Sequence, residues 1–321
     1  MHRPIDLLPD TPVRAFTVPL TGALAGFGDA AAFAIAGPES APVVLVLGGI
    51  SANRFPAVRP DGGAGWWPGV AGAGSALDPA RWRILGMDFV SDPEGRRAPA
   101  SADVAALIAA ALDAAGIARV HAAVGASYGG MIAMRFAQDY PDRCARLVAI
   151  SADARAHPAS TAIRELQRRT VALGLAAGRG QEALSIARGM AMLTYRTREE
   201  FADRFEGGIS GDDVLECTQP GTYLRARGDV YHQVMSPERF LSLSAAIDRH
   251  VAEPAKIAVP SLLIGATSDL LVPPSQMEAL AGGIGANARL VLRHSAYGHD
   301  MFLKDADAIS ALIAPFLEES A

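Results

Sequence analysis

The stretch "HAAVGASYGGM", residues 121–131, constrains this chain more than any other: an apolar run breaks into glycines around one serine and resumes at once with helix-forming residues. A strand that hands over to a helix so abruptly needs a sharp turn whose neighbours press against its backbone, and Gly125 and Gly129 supply the room. The pattern G-x-S-x-G, here Gly125, Ala126, Ser127, Tyr128 and Gly129, says little alone, because glycine and serine are common. Its place between a strand and a helix makes Ser127 a candidate nucleophile held on a strained turn.

The segments around it repeat that rhythm. "AFTVPL" and "AAFAIAG" alternate, as strands with one wet face do, whereas "PVVLVLGG" at 42–49 is continuously apolar, as a central strand covered on both faces requires. The sheet is therefore expected to start antiparallel and turn parallel. "RWRILGMDFV" (81–90) is a further strand, "ADVAALIAAALDAAGI" (102–117) a helix, and "RLVAISA" closes this half near Ala152. From 154 to 254 strand signals give way to helical periodicity, and "PSLLIGA" (260–266) restores the frame, followed by a helix, the strand "ARLVLRH" and a closing helix. The expectation is an α/β fold with a mostly parallel central sheet: a first core part at 1–153, a helical cap inserted at 154–254 and a second core part at 255–321.

Composition narrows what such a frame does. Half of the 321 residues are hydrophobic and 20% are charged, the balance of a globular chain with a substantial core. The net charge is −5 with scattered basic residues, which indicates neither nucleic acid nor a membrane surface as partner. Cys144 and Cys217 lack companions at metal-ligand spacing and read as structural, so no metal is expected. "MHRPIDLLPDTPVR" has no signal-peptide pattern and no apolar stretch is long enough to span a bilayer, so a soluble, cytoplasmic protein is expected.

A serine hydroxyl becomes a useful nucleophile only when a base takes its proton and a carboxylate orients that base. In the chain order Ser, Asp or Glu, His, the candidates are Asp269 in "GATSDLLVPP", directly after a strand, and His299 in "SAYGHDMFL", between the last strand and last helix. Turn formation is the alternative role for Asp269, and an ordinary loop position that for His299. Tetrahedral intermediates also need backbone donors: the Tyr128 N–H is one, and Gly49 or Ile50 in "LGGISANR" the second.

Several segments together resemble the homoserine O-acyltransferases of the α/β-hydrolase fold: "VGASYGGM", "GWWPGVAGAGSALDPARW", "RELQRR", "LTYRTREEFADRF", "TYLRARGD", "SDLLVPPSQ" and "YGHDMFL". The resemblance implies a ping-pong transfer in which Ser127 takes an acetyl or succinyl group from acyl-CoA and passes it to the hydroxyl of L-homoserine, in methionine biosynthesis. Acyl-CoA would be a co-substrate, with no bound cofactor. By the same resemblance Arg168 meets the amino acid's carboxylate, Asp300 its ammonium group, and Tyr223 makes a further contact; a homodimer through the cap is compatible with it. The sequence departs from the family at "GGISANR" and at Tyr128, where methionine is usual, which leaves the acyl donor open. An esterase or amidase, acyl transfer to another hydroxyl compound such as L-serine, and a silent binding module are the competing readings.

Overall fold

The continuous apolar runs form the middle of an eight-stranded sheet. In the computed structural model, which describes residues 11–209, 212–215 and 218–319, β3 (Val43–Leu47), β5 (Ala122–Ala126), β6 (Leu147–Ile150) and β7 (Ser261–Ala266) are buried at every position. β4 (Arg83–Met87) is buried at all but its first residue. Of the two strands expected to keep one wet face, β1 (Val13–Pro19) is partly exposed and stands at an edge, with the partly exposed β8 (Ala288–Arg293) at the other. β2 (Ala30–Ala36) is instead buried at five of its seven positions, because it lies inside the sheet between β1 and β4. The order is β1-β2-β4-β3-β5-β6-β7-β8. The β1–β2 and β2–β4 pairings are antiparallel and the rest parallel, as the sequence leads one to expect.

Successive residues of a strand feed opposite faces, and the core divides accordingly. Val43, Leu45 and Leu47 join α1 (Ser101–Ala114), α2 (Tyr128–Asp139) and α8 (Pro274–Ile284) in one cluster. Val44, Val46 and Val124 join Trp67, Trp82, α9 (Met301–Lys304) and α10 (Ala306–Glu318) in the other. At about 25 cal/mol per Å² of apolar surface removed from water, these two faces supply most of the drive to fold.

Between Ile150 and Ser261 the described residues form no named strand. They form α3 (Pro158–Ala176), α4 (Gly180–Tyr195), α5 (Arg198–Arg204), α6 (Gln219–Asp229) and α7 (Pro237–Asp248). Side-chain oxygens start three of these helices: Thr197 accepts from the Glu200 N–H, Thr218 from the Gly221 N–H and Ser236 from the Arg239 N–H. The segment leaves after β6 and returns before β7, two neighbouring strands, and its ends are tied by the Ala252 N–H donating to the Ala154 carbonyl at 2.9 Å beside an antiparallel bridge between Arg155 and Val251. Cys144 is a free, buried thiol that burial pushes up to about 12, and Cys217 lies outside the described residues. No described helix is long and apolar enough to cross a membrane.

Candidate active site

Ser127 sits between the last residue of β5 and the first of α2 with φ 54° and ψ −124°, a conformation that a non-glycine residue adopts at a cost of roughly 1–3 kcal/mol. The turn is as tight as its sequence requires. A Cβ on Gly125 would lie 2.2 Å from the Gly129 carbonyl oxygen, and one on Gly129 would lie 2.4 Å from the Leu47 carbonyl group. Packing of the elbow against β3 is sealed by the Gly129 N–H donating to the Gly48 carbonyl at 2.9 Å.

The structure brings the other two residues to this serine from 142 and 172 positions away (269 − 127 and 299 − 127). Asp269 follows β7, and its Oδ1 accepts from the Leu271 and Val272 N–H groups at 2.8 and 3.0 Å, which fixes the carboxylate and leaves Oδ2 for His299 Nδ1 at 2.8 Å. His299 lies in a short 3-10 turn, Gly298–Asp300, after β8, and its Nε2 is 2.9 Å from Ser127 Oγ. An ionised carboxylate only accepts, so Nδ1 carries the proton and Nε2 is free to accept from the serine hydroxyl. Behind His299 stands Phe302, edge-on at 6.3 Å, whose carbonyl accepts from the buried Trp67 indole N–H at 2.8 Å. Trp67, stacked on Trp66, is thus packing that backs the histidine loop.

Burial alone would hold the His299 imidazole below its ordinary range, but the charge and hydrogen bond of Asp269 outweigh it and the net shift is upward. The side chains of His299 and Asp269 are only 6% and 0% exposed, so little water screens the pair.

These residues open onto a cavity, continuous with solvent, that is walled by the strand ends below and by α3 and α7 above. Tyr128 and Ile50 line it beside Ser127. As the first residue of α2, Tyr128 has an N–H with no acceptor in the preceding turn of the helix, as an oxyanion donor must. Gly49 is absent from the lining; its carbonyl accepts from the Ala52 N–H at 2.9 Å, which turns the chain so that Ile50 is presented.

The three residues expected to hold the acceptor are placed less directly. Arg168 is not in the cavity lining: its Nη1 donates to Asp248 Oδ2 at 2.6 Å and to the Ser244 carbonyl and Oγ, both at 3.1 Å. Asp300, buried beside His299, accepts from Arg196 Nε at 2.8 Å and is also absent from the lining. Tyr223 on α6 packs against Phe205, with the Arg204 guanidinium 4.1 Å from its ring centre, away from the lining residues. Three residues that the sequence did not single out do line the cavity: Arg164, one helical turn before Arg168; Ser151, at φ 48° after β6; and Tyr195, whose ring lies 5.7 Å from that of His299. A small residue closing a buried strand was the one available signal for Ser151; its positive φ has none in the sequence. Among the described residues no group of three His, Cys, Asp or Glu side chains is arranged to hold a metal ion.

Comparison with known proteins fits this geometry. A profile of the alpha/beta hydrolase fold matches residues 42–306. The chain is 42% identical to a homoserine O-succinyltransferase of Xanthomonas campestris, over 89% of this chain and 78% of that one. It is 31% identical to a homoserine O-acetyltransferase of Thermus thermophilus (80% and 73%) and 30% identical to a serine O-succinyltransferase of Frateuria aurantia (85% and 88%). Among solved structures, a homoserine O-acetyltransferase from Bacillus anthracis superposes with a TM-score of 0.82 at 18% identity, covering 97% of this chain and 98% of that one. Esterase E22 superposes at 0.83 and 20% identity, covering 96% and 100%. At such identities these likenesses show the fold alone.

Proposed function

The chain belongs to the homoserine O-acyltransferase family of the α/β-hydrolase fold, and from that membership we propose that it moves an acetyl or succinyl group from acyl-CoA to the side-chain hydroxyl of L-homoserine, as a step of methionine biosynthesis. The observation that carries the reading is the relay Ser127 Oγ, His299 Nε2, His299 Nδ1, Asp269 Oδ2, with both contacts under 3 Å, in a chain so similar to a homoserine O-succinyltransferase.

The steps follow from the proton positions. His299 Nε2 takes the Ser127 proton as Oγ attacks the thioester carbonyl, and the oxyanion that forms is held by the N–H groups of Tyr128 and Ile50. Collapse expels the thiolate of coenzyme A, which leaves with the proton from His299. The acceptor hydroxyl then gives its proton to His299 and attacks the acyl-serine; the new ester departs and the proton returns to Ser127 Oγ. Asp269 holds the ring in the tautomer that both halves need and stabilises the imidazolium in between. An acceptor bound in this cavity displaces water from the acyl-serine, which favours an amino-acid hydroxyl over water as acceptor.

The higher identity to a succinyltransferase favours succinyl-CoA as donor. L-Serine is the second reading for the acceptor, on the strength of the serine O-succinyltransferase relatives. The test is release of coenzyme A from acetyl-CoA and from succinyl-CoA, with L-homoserine, with L-serine and with neither, while the ester product is followed by mass spectrometry. Release that depends on homoserine, with the matching O-acyl product, is the expected result; release indifferent to either amino acid would replace transfer with hydrolysis.

A further inference from the structure

The two backbone donors that would meet the oxyanion are held in different ways. Tyr128 begins α2, so its N–H is fixed by a helix, whereas Ile50 stands in a four-residue turn, 49–52, in the loop after β3. The Ala52 N–H closes that turn by donating to the Gly49 carbonyl at 2.9 Å. A trans peptide sets its N–H opposite its C=O, so the same bond aims the Ile50 N–H away from Ala52. Gly49 adds no stiffness, since a Cβ there would meet nothing within 4 Å. The second donor is therefore only as well aimed as the turn is closed.

The flanks of this loop are fastened to the core. The Gly48 carbonyl accepts from the Gly129 N–H, the Trp66 indole N–H donates to the Asn53 carbonyl at 3.0 Å, and the Arg54 N–H donates to Asp88 Oδ1 at 2.7 Å. Its apex is fastened to the cap instead. Ser51 Oγ lies 2.9 Å from Tyr231 Oη, a hydrogen bond across 180 positions of sequence. Tyr231 opens a 3-10 turn, Tyr231–Gln233, after α6; it is only 6% exposed, and its carbonyl accepts from the Val234 and Met235 N–H groups, both at 3.1 Å. The Arg188 guanidinium on α4 lies 4.8 Å from the centre of its ring and 5.4 Å from that of Tyr195, the neighbour of His299. A well-seated phenol thus reaches from the cap to a turn with little support of its own.

We infer that Tyr231 is a positioning residue for catalysis: through Ser51 it keeps the 49–52 turn closed and the Ile50 N–H on the oxyanion. The inference rests on the acyl-transfer reading above, which makes Ser127 the nucleophile and Ile50 a donor. Tyr231 does not line the cavity, so its effect falls on the tetrahedral intermediates and not on the binding of either substrate. An oxyanion forms in both halves of the reaction, and acylation of Ser127 and transfer to the acceptor both depend on the aim of this donor.

The test is the rate of Ser127 acylation, by rapid mixing, with acetyl-CoA, succinyl-CoA and p-nitrophenyl acetate in the wild type, Tyr231→Phe, Ser51→Ala and the double variant. The nitrophenyl ester needs the same serine and the same oxyanion donors but no coenzyme A site and no acceptor. Each single variant removes one hydroxyl and keeps the shape around it. Each is expected to slow acylation about tenfold with every donor that acylates the wild type, because an oxyanion donor removed outright costs about 10²–10³-fold and here only its aim is lost. The donor concentration at half-maximal rate should stay put, as should the acid limb that His299 sets. The double variant should be no slower than either single one, since both cut the same bond, and Ser51→Thr, which keeps a hydroxyl, should restore part of the rate. Unchanged acylation in the single variants, losses that multiply in the double variant, or a change confined to the half-saturating donor concentration would overturn the inference. Should Tyr231→Phe fail to fold, Ser51→Ala decides alone: a slowed rate supports the inference and an unchanged one overturns it. A wild type acylated by the nitrophenyl ester and by neither thioester overturns the acyl-transfer reading, and the inference then stands or falls on the ester rates. A wild type that no donor acylates overturns both.

Discussion

The carboxyl edge of the sheet and the cap above it treat their polar groups in opposite ways. At the edge every side chain of the proposed relay is engaged: Asp269 makes three hydrogen bonds, and both nitrogens of His299 are committed. On the cap side the wall is incomplete, with a guanidinium nitrogen left over after Asp248 has been divided between two arginines. Apolar packing differs in the same sense. The central strands are buried throughout, whereas among the described residues all the large exposed hydrophobic ones except Leu270 and Leu303 lie within 154–254, Leu166 and Leu173 on α3 included. Reactive atoms are therefore prearranged before any ligand arrives, and the surface that meets the ligand is finished only by the ligand.

The sharpest break of this contrast is to remove chemistry without touching the cap. Ser127→Ala and His299→Ala are each expected to lower acyl transfer about 10⁵-fold with the melting temperature nearly unchanged; turnover retained in Ser127→Ala would reject the covalent route. Asp269→Asn comes next, with a loss of about 10⁴-fold because the ring loses the partner that sets its tautomer. It also carries a sign that a merely structural loss would not. Asp269 raises His299, and the base works only when unprotonated, so the wild-type activity should fall with decreasing pH through a midpoint above that of an ordinary imidazole. In Asp269→Asn the residual acid limb should move to lower pH, and an unmoved limb would argue against the pairing.

Changes at the arginine pair of the cap should be smaller and of another kind. Asp248→Asn leaves two guanidinium groups without their shared carboxylate, so we expect a stability loss of about 2 kcal/mol and a rise in substrate KM of roughly tenfold with kcat little altered. A fall confined to kcat would mean that the arginines serve the reacting atoms and not the ligand's position. The smallest effect concerns the place where cap and core rejoin. His250 is 1% exposed with neither ring nitrogen bonded, and burial with the nearby Arg135 charge holds it down to about 3. Only the unfolded chain can then take up a proton as pH falls below the ordinary value of 6.5, so stability drains between about pH 6.5 and 3. His250→Phe should be nearly neutral at pH 7 and more stable than wild type by about 2 kcal/mol at pH 5. Parallel denaturation midpoints at the two pH values would contradict this.

What was legible in the sequence follows the same division. Strands covered on both faces must be apolar at every position, so 42–49 announced β3, and the glycines at 125 and 129 announced the elbow because backbone presses on both. Asp269 and His299 were readable because each lies in the loop that leaves the end of a strand and so must emerge at one edge of the sheet. Arg164 and Arg168 were not separable: four residues apart on α3 they share a face, and which of them is spent depends on Asp248, eighty residues on. Nor could the sequence reveal that Asp300 is occupied by Arg196 from the end of α4. Such pairings are settled by how helices lie against one another, and periodicity is silent on that.

The small clasp between Ala154 and Ala252 has a consequence for descent and for engineering. A segment of about a hundred residues whose two ends are pinned together, between strands that are already neighbours, is a removable part in the way a lens is removable from a camera body. Lengthening it, shortening it or trading it for another, with Tyr231 kept in place, changes what the instrument sees while the shutter, set in the strand ends, keeps its alignment. Lineages can then inherit one mechanism and vary their diet through the insert alone, and a grafted cap that preserves this clasp is where a new acceptor would be introduced.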